Sequence, residues 1–139
     1  MRGRRSLAVA LFGVATVACG SPPGPSIGIA LPRHGWSGEG PAALGSGRLE
    51  LDDGCLSLRS ADGTSYVVVW PPDTRIMLED GTPVVWIGAD TARVGDDVRL
   101  GGGYYSDLAY VTGELRGSVL PADCVTREVF MATGIVPPG

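Results

Sequence analysis

The sequence predicts an all-β fold, a small antiparallel β-barrel. The first observation is composition: the 139 residues include 22 glycines and 11 prolines, and both residue types interrupt helices too often for a helical bundle. The second is spacing, because from residue 48 onward turn sequences recur about every 8 to 15 residues, as in sandwiches and small barrels. The third is that the runs between turns are short, and barrel closure hides the edges that short strands otherwise expose.

Three regions divide the chain. Residues 1–18 have the layout of a secretory signal, in which arginines precede an apolar run of 12 residues that is too short to span a bilayer. Residues 19–47 are rich in glycine and proline and lack an apolar period, which indicates a flexible tether. Residues 48–136 carry the pattern of strands and turns, so we expect them to form the barrel domain.

The first strands of this domain are predicted from alternation and turn residues. Residues 48–51 and 55–59 alternate polar and apolar side chains around Gly54, which is typical of a β-hairpin. Residues 64–70 are β-branched and aromatic on both faces. We therefore predict a central strand that is covered on both sides and is ended by the two prolines that follow it.

Two further hairpins are predicted from the same pattern. Residues 75–87 alternate around Asp80-Gly81, and residues 93–100 alternate around Gly95. The turn within the second of these segments is similar to the tight Gly-Asp turn of many small β-barrels, including OB-like ones. This resemblance concerns the fold, and it favours an OB-like or similar barrel.

The last part of the domain has a weaker pattern. Gly101 to Gly103 could cradle a phosphate, but phosphate loops lead directly into a helix and these glycines do not, so a bulge or wide turn is expected. We expect residues 106–122 to form a long irregular connection with a helical turn near Asp107. Residues 127–135 have the composition of a strand, which we expect to close the barrel against the first hairpin.

The end of the apolar run carries a motif. The residues Ala15-Thr16-Val17-Ala18-Cys19 resemble the lipobox of bacterial lipoproteins, with Thr16 in place of the preferred Leu. The resemblance implies that Cys19 is the lipid attachment site and that the protein is held on the outer face of the cell membrane. Without acylation, a plain signal cleaved near Ala18 would release a secreted protein.

The chain has three cysteines, Cys19, Cys55 and Cys124. In an oxidising compartment a pair formed by Cys55 and Cys124 leaves one thiol over, and lipid attachment at Cys19 would account for it. The two pairing cysteines are too far apart in sequence for the short Cys-x-x-Cys loop of redox proteins. We therefore predict a structural disulfide.

Several short phrases resemble a group of uncharacterised small secreted or lipid-anchored domains from actinobacteria and their relatives. The phrases are Asp53-Gly54-Cys55-Leu56, Val69-Trp70-Pro71-Pro72, Val94-Gly95-Asp96 with Leu100-Gly101-Gly102-Gly103, and the late Cys124. The resemblance covers residues 47–135. It implies a fold class and a location, and no activity comes with it.

Charge argues against nucleic acid as a partner. The chain has 15 acidic residues and 11 basic ones, all of the latter arginines, and removal of the signal would take three arginines away. A net charge of about −7 would then repel a phosphate backbone. Arginine could still read an isolated phosphate, but the sequence shows no clustering of arginines along one element.

No catalytic set is evident in the sequence. The one histidine, His34, lies in the expected tether, where nothing would hold it near a nucleophile. With Trp36 it could grasp a ligand, although an unstructured pair is the simpler interpretation. The carboxylate pairs Asp52-Asp53, Glu79-Asp80 and Asp96-Asp97 all fall in expected turns, where Asp satisfies local backbone groups. We expect no metal site and no cofactor.

Three tyrosines, Tyr104, Tyr105 and Tyr110, follow the glycine run and form a candidate binding surface, with core or rim packing as the alternative. We expect a noncatalytic binding or envelope-structural module whose partner is an unknown envelope ligand or protein. The alternative is a hydrolase or ligand-processing enzyme of the cell envelope built from carboxylates.

Overall fold

The computed structural model describes residues 28–36, 42–117, 119–125 and 128–137. Eight strands, one α-helix and one 3₁₀ turn make up this part of the chain. Their bounds are β1 Ala43–Asp52, β2 Cys55–Arg59, β3 Ser65–Val69, β4 Arg75–Glu79, β5 Thr82–Ile87, β6 Asp90–Arg93, β7 Asp97–Tyr105, α1 Leu108–Glu114, the 3₁₀ turn Ala122–Cys124, and β8 Glu128–Ile135.

Five strands close into a barrel in the order β1-β2-β3-β8-β7, which confirms the small β-barrel. Neighbouring strands are antiparallel except for β3 and β8, which run parallel. Strand β1 makes closure possible because its first half pairs with β7 and its second half pairs with β2. Five strands agree with an OB-like barrel.

Two strand pairings differ from the sequence prediction. Strand β8 lies between β3 and β7, not against the first hairpin. Strands β6 and β7 do not form a hairpin, because β6 pairs with β5 in a separate three-stranded sheet. The turn between them is bound to β1: Gly95 donates its N–H to the Leu49 carbonyl at 2.7 Å, and Leu49 donates to the Asp96 carbonyl at 3.0 Å. These bonds direct the chain from the sheet into the barrel.

The core extends through the barrel and reaches the three-stranded sheet. Leu49, Val68 and Phe130 are fully buried inside the barrel, and Val85 and Ala92 of the second sheet belong to the same buried cluster. Gly45 leaves room for Phe130, since a Cβ at this glycine would lie 2.7 Å from the ring. One hydrophobic core therefore joins both sheets.

Strand β3 is covered on both faces, as predicted for the central strand. Val68 faces the main core. Val67 packs on the other side with Cys55 and Cys124, and Val69 packs against Val111 of α1. All the valines of this strand are buried for this reason.

Residues 28–36 differ from the expected tether, because they pack along the barrel. Ala30 donates its N–H to the Gly54 carbonyl, and Trp70 donates to the Pro32 carbonyl, both at 2.8 Å. Ile29 and Leu31 pack against the main core. The expectation gave most weight to glycine and proline, whereas alternating apolar residues in this segment are what bury it. The barrel also begins earlier than predicted, at Ala43.

The glycine run and the helix agree with their predictions. The register of β7 against β8 shifts between Gly101 and Gly102, where Thr133 of β8 is the extra residue, and Gly102 has a φ of +149° that few other residues adopt. Asp107 caps α1 by accepting hydrogen bonds from the N–H groups of Ala109 and Tyr110. Among the described residues, no helix is both long and apolar enough to cross a membrane.

Candidate functional site

An open groove of about 600 Å³ lies on the outer face of β2, β1 and β7. Three arginines line it, one from each strand: Arg59, Arg48 and Arg99. Arg48 is the residue of β1 that pairs on both sides, opposite Arg59 on β2 and opposite Asp97 on β7. Arg99 lies opposite Ser46, two residues before Arg48. Residues opposite or diagonal across paired strands share one face, so the three side chains are neighbours.

Two of these arginines carry unpaired charge. Arg59 forms an ion pair with Glu50, with 3.7 Å between Nη1 and Oε2, and both side chains remain partly exposed. The guanidinium groups of Arg48 and Arg99 make neither a hydrogen bond nor an ion pair with any residue that the structure describes. The lining residues also include Asp97. Three positive and two negative side chains leave the groove net positive on a chain whose overall charge is −4.

Close strand packing forms the floor of the groove. Gly47 lines it, and a Cβ at this glycine would overlap the carbonyl oxygen of Arg59. The glycine therefore lets β1 lie tight against the end of β2, which brings Arg48 beside Arg59. Val98 and Ala61 add apolar surface. The groove thus combines apolar walls with guanidinium groups, a combination that suits a ligand with an anionic group and an apolar or neutral body.

The arginine cluster was missed in the sequence because its members come from distant segments. The sequence argument required arginines to cluster along one element, and Arg48, Arg59 and Arg99 lie on three. A usable signal was that each arginine occupies a strand position whose side chain, by alternation, points out of the barrel. It could be read only with the pairing of β1 to both neighbours, since that pairing places the three strands side by side.

The candidate tyrosine surface is divided by strand alternation. Tyr104 and Tyr105 are consecutive in β7, and consecutive strand residues point to opposite faces. Tyr104 lies at the barrel mouth, where its ring centre is 4.8 Å from the ring centre of Tyr66 and 4.8 Å from that of Phe130. Tyr105 lies outside the barrel, where it stacks on Tyr110 at 5.2 Å. Tyr104 and Tyr110 are both more than two-fifths exposed.

A smaller cavity of about 240 Å³ lies beside these tyrosines, lined by Tyr66, Tyr104, Tyr105, Ser106 and Glu128. Burial raises the pKa of Tyr66, and the nearby Glu128 carboxylate raises it further. Burial and the neighbouring Tyr110 also raise the pKa of Tyr105. Both phenols therefore stay protonated, and able to donate hydrogen bonds, to a higher pH than an ordinary tyrosine does. The tyrosine surface as a binding site stays a prediction.

Cys55 and Cys124 form the predicted disulfide, with their Cα atoms 5.9 Å apart. Both are buried, together with Val67 and the partly buried Leu120. The bond holds the 3₁₀ turn against the start of β2 and against Val67 of β3, so its position indicates a structural role. Cys19 lies outside the described residues, and its lipid attachment stays a prediction.

His34 is buried and bound to the backbone at both ring nitrogens. Nδ1 accepts a hydrogen bond from the Trp36 N–H at 3.2 Å, so Nε2 is the donor to the Ala132 carbonyl, 2.5 Å away. The Trp36 indole donates to Glu114 Oε2 at 3.0 Å and lies 5.9 Å from the Tyr105 ring. This arrangement gives His34 a packing role that differs from the unstructured position expected from the sequence.

The carboxylate pairs are distributed over separate turns and strand ends. Asp53 and Asp80 occupy left-handed backbone positions in the β1–β2 and β4–β5 turns. Glu79 pairs with Arg93, with 3.1 Å between Oε2 and Nη2. Asp97 alone of these pairs lines the arginine groove.

No family model, curated protein or solved structure matches the chain.

Proposed function

We propose that the protein is a noncatalytic binding module whose groove binds the phosphate or carboxylate group of an extended ligand. The observation that carries the proposal is the meeting of Arg48, Arg59 and Arg99 around one open groove, where two of the three guanidinium groups have no protein partner among the described residues. Guanidinium groups match the geometry of oxyanions and stay charged at any physiological pH.

The side chains of the groove favour binding over catalysis. Its ten lining residues offer the hydroxyls of Ser46 and Ser60 as nucleophiles but no histidine to activate them. Glu50 is engaged by Arg59. Ser60 donates its hydroxyl to the Asp62 carboxylate, but the hydrogen bonds from Ser60 and Thr64 lower the pKa of Asp62, which makes it a weak base. Retention of a ligand by charge and shape is therefore the better-supported role of the groove.

The location that we propose is the outer face of a membrane, with the lipid on Cys19. The lipobox resemblance supports it, and so does the disulfide, because disulfides form in oxidising compartments. Expression with labelled palmitate tests this part: we expect labelling of the wild type and none of Cys19→Ala. Equal labelling of the two would refute the anchor and leave the groove proposal standing.

The groove itself is tested with inorganic phosphate and diphosphate as probes. Titration of the folded protein at low ionic strength, followed by amide NMR shifts, should show saturable changes at residues of the groove. The double variant Arg48→Ala/Arg99→Ala should weaken diphosphate binding about tenfold or more, since each charged hydrogen bond contributes about 1.5–3 kcal/mol when well formed. Raising the salt concentration should weaken binding in the wild type, because exposed charges are screened.

The matched control is Arg116→Ala, which removes an exposed arginine near the end of α1. We expect this variant to bind diphosphate as the wild type does. Equal affinity in the double variant and the wild type, or NMR shifts confined to residues elsewhere, would reject the groove as the binding site.

A further inference from the structure

Strand β4 leaves one edge of the three-stranded sheet open. The strand order is β4-β5-β6, and β5 is the one strand that pairs with β4 among the described residues. No backbone hydrogen bond from another described segment reaches β4. Met77 and Leu78 are 42% and 52% exposed on it. An exposed apolar edge strand is a template for pairing with another chain.

The hairpin geometry identifies which backbone groups face the open edge. The two-residue turn Asp80-Gly81 has φ values of +51° and +78°, as in a type I′ turn, which makes Glu79 and Thr82 a hydrogen-bonded pair. Hydrogen-bonded and non-bonded pairs alternate along an antiparallel ladder. The N–H and C=O groups of Ile76 and Leu78 therefore point away from β5, toward the open edge.

The sequence of β4 is complementary to itself when reversed. It reads Arg75-Ile76-Met77-Leu78-Glu79, with opposite charges at its two ends. If two copies pair antiparallel about Met77, Arg75 of each lies opposite Glu79 of the other, and Ile76 lies opposite Leu78. In this register the backbone groups that face the open edge, those of Ile76 and Leu78, lie opposite one another and can form hydrogen bonds. The same register therefore pairs the opposite charges and satisfies the backbone.

We propose that β4 is a self-association edge, at which a second copy of this chain pairs antiparallel to form a six-stranded sheet. Charge complementarity selects a second copy over an unrelated extended peptide, since both Arg75–Glu79 pairs arise from the two-fold symmetry. Glu79 can serve both neighbours: its Oε2 contacts Arg93 within the chain, and the side chain is 40% exposed. The inference is independent of the arginine groove, which lies on the barrel.

Sedimentation of the wild type over about 10 µM to 1 mM should show a reversible monomer–dimer equilibrium, weak because two five-residue strands bury less area than a standard interface. Arg75→Glu alone and Glu79→Arg alone each place like charges opposite one another, and each should weaken dimerisation about tenfold or more. An equimolar mixture of the two should recover the dimer. In the mixed pair the strand with two acidic ends lies opposite the strand with two basic ends, so opposite charges meet at both positions.

A second pair of variants guards against loss of folding, since Glu79→Arg also breaks the contact with Arg93. Met77→Glu and Met77→Arg should each remain monomeric and should dimerise when mixed. Arg116→Glu, which changes an exposed charge elsewhere, should dimerise as the wild type does. A monomeric wild type at the highest concentration, or no recovery in mixtures of folded variants, would overturn the proposal.

Discussion

At the scale of single residues, Glu50 would compete with a bound anion for the guanidinium group of Arg59 in the proposed binding groove. Glu50 contacts this guanidinium at 3.7 Å, while those of Arg48 and Arg99 have no described partner. An exposed ion pair of this kind contributes little to stability. Its larger effect would be on the proposed anion binding, because the Glu50 carboxylate both occupies Arg59 and would repel an incoming anion.

We therefore expect Glu50→Gln to tighten diphosphate binding about threefold to tenfold, with a change of less than about 0.5 kcal/mol in the free energy of unfolding. Calorimetric titration at low ionic strength measures the affinity. Asp90→Asn, which neutralises an exposed acid on β6, is the control and should leave the affinity within twofold, an order-of-magnitude bound set by screening. Unchanged or weaker binding in Glu50→Gln would contradict the competition.

The tyrosines provide a second prediction at this scale. Folding raises the pKa of Tyr105 above its ordinary value of 10.0, chiefly through burial. The folded protein thus holds the phenol proton more tightly than the unfolded chain does. The resulting stabilisation is complete below about pH 10 and is lost as the pH rises through the folded-state pKa.

Absorbance at 295 nm, followed against pH, should show part of the tyrosine ionisation displaced above pH 10, as a raised pKa requires. Tyr105→Phe should remove part of that late fraction and flatten the alkaline fall in the free energy of unfolding. If all four tyrosines ionised together near pH 10, the result would contradict the stacking of Tyr105 against Tyr110.

At the scale of elements, the disulfide attaches an irregular segment to the barrel. The 3₁₀ turn Ala122–Cys124 has one turn of backbone hydrogen bonds, and Cys124 is its buried residue. Its bond to Cys55 closes a loop of 69 residues, which includes β3 to β7 and α1. The outer face at the start of β2 and at Val67 of β3 is therefore covered by a segment that has little secondary structure of its own.

The double variant Cys55→Ala/Cys124→Ala should lose about 4 kcal/mol of unfolding free energy, from the loop-closure entropy regained by the unfolded chain. Denaturant unfolding measures the loss, and reduced wild type should behave like the variant. A difference of less than about 1 kcal/mol would show that packing of Val67 and Leu120 holds the segment without the bond.

At the scale of the whole molecule, the barrel and the three-stranded sheet share one core. Val85 of β5 is fully buried in the cluster that holds Leu100 and Phe130 of the barrel. The Gly95–Asp96 turn is also hydrogen-bonded to Leu49 of β1. We therefore expect the two sheets to unfold together.

Val85→Ala should destabilise the whole molecule by roughly 1–3 kcal/mol, and the thermal transitions by near- and far-ultraviolet circular dichroism should coincide. Val119→Ala, at a residue that is 79% exposed, is the control and should cost less than about 0.5 kcal/mol. Two separated transitions in the wild type would mean that the sheets fold independently.

The sequence by itself determined the local structural features, those that depend only on residues near one another along the chain. Strand alternation, the turns at Gly54 and Gly81, and the helical turn near Asp107 follow from local backbone preferences, so they were predictable. The pairing of Cys55 with Cys124 was predicted from the expected oxidising compartment and the cysteine count, and the structure contains this disulfide.

The tertiary structure alone decided which distant segments meet. Local preferences are the same whether β7 pairs with β6 or with β1, and the choice depends on burying one shared core. Residues 28–36 are held by the same core, through Ile29 and Leu31, despite their glycine and proline content. The groove follows from the choice of strand neighbours, because Arg48, Arg59 and Arg99 become adjacent only when β1 lies between β2 and β7.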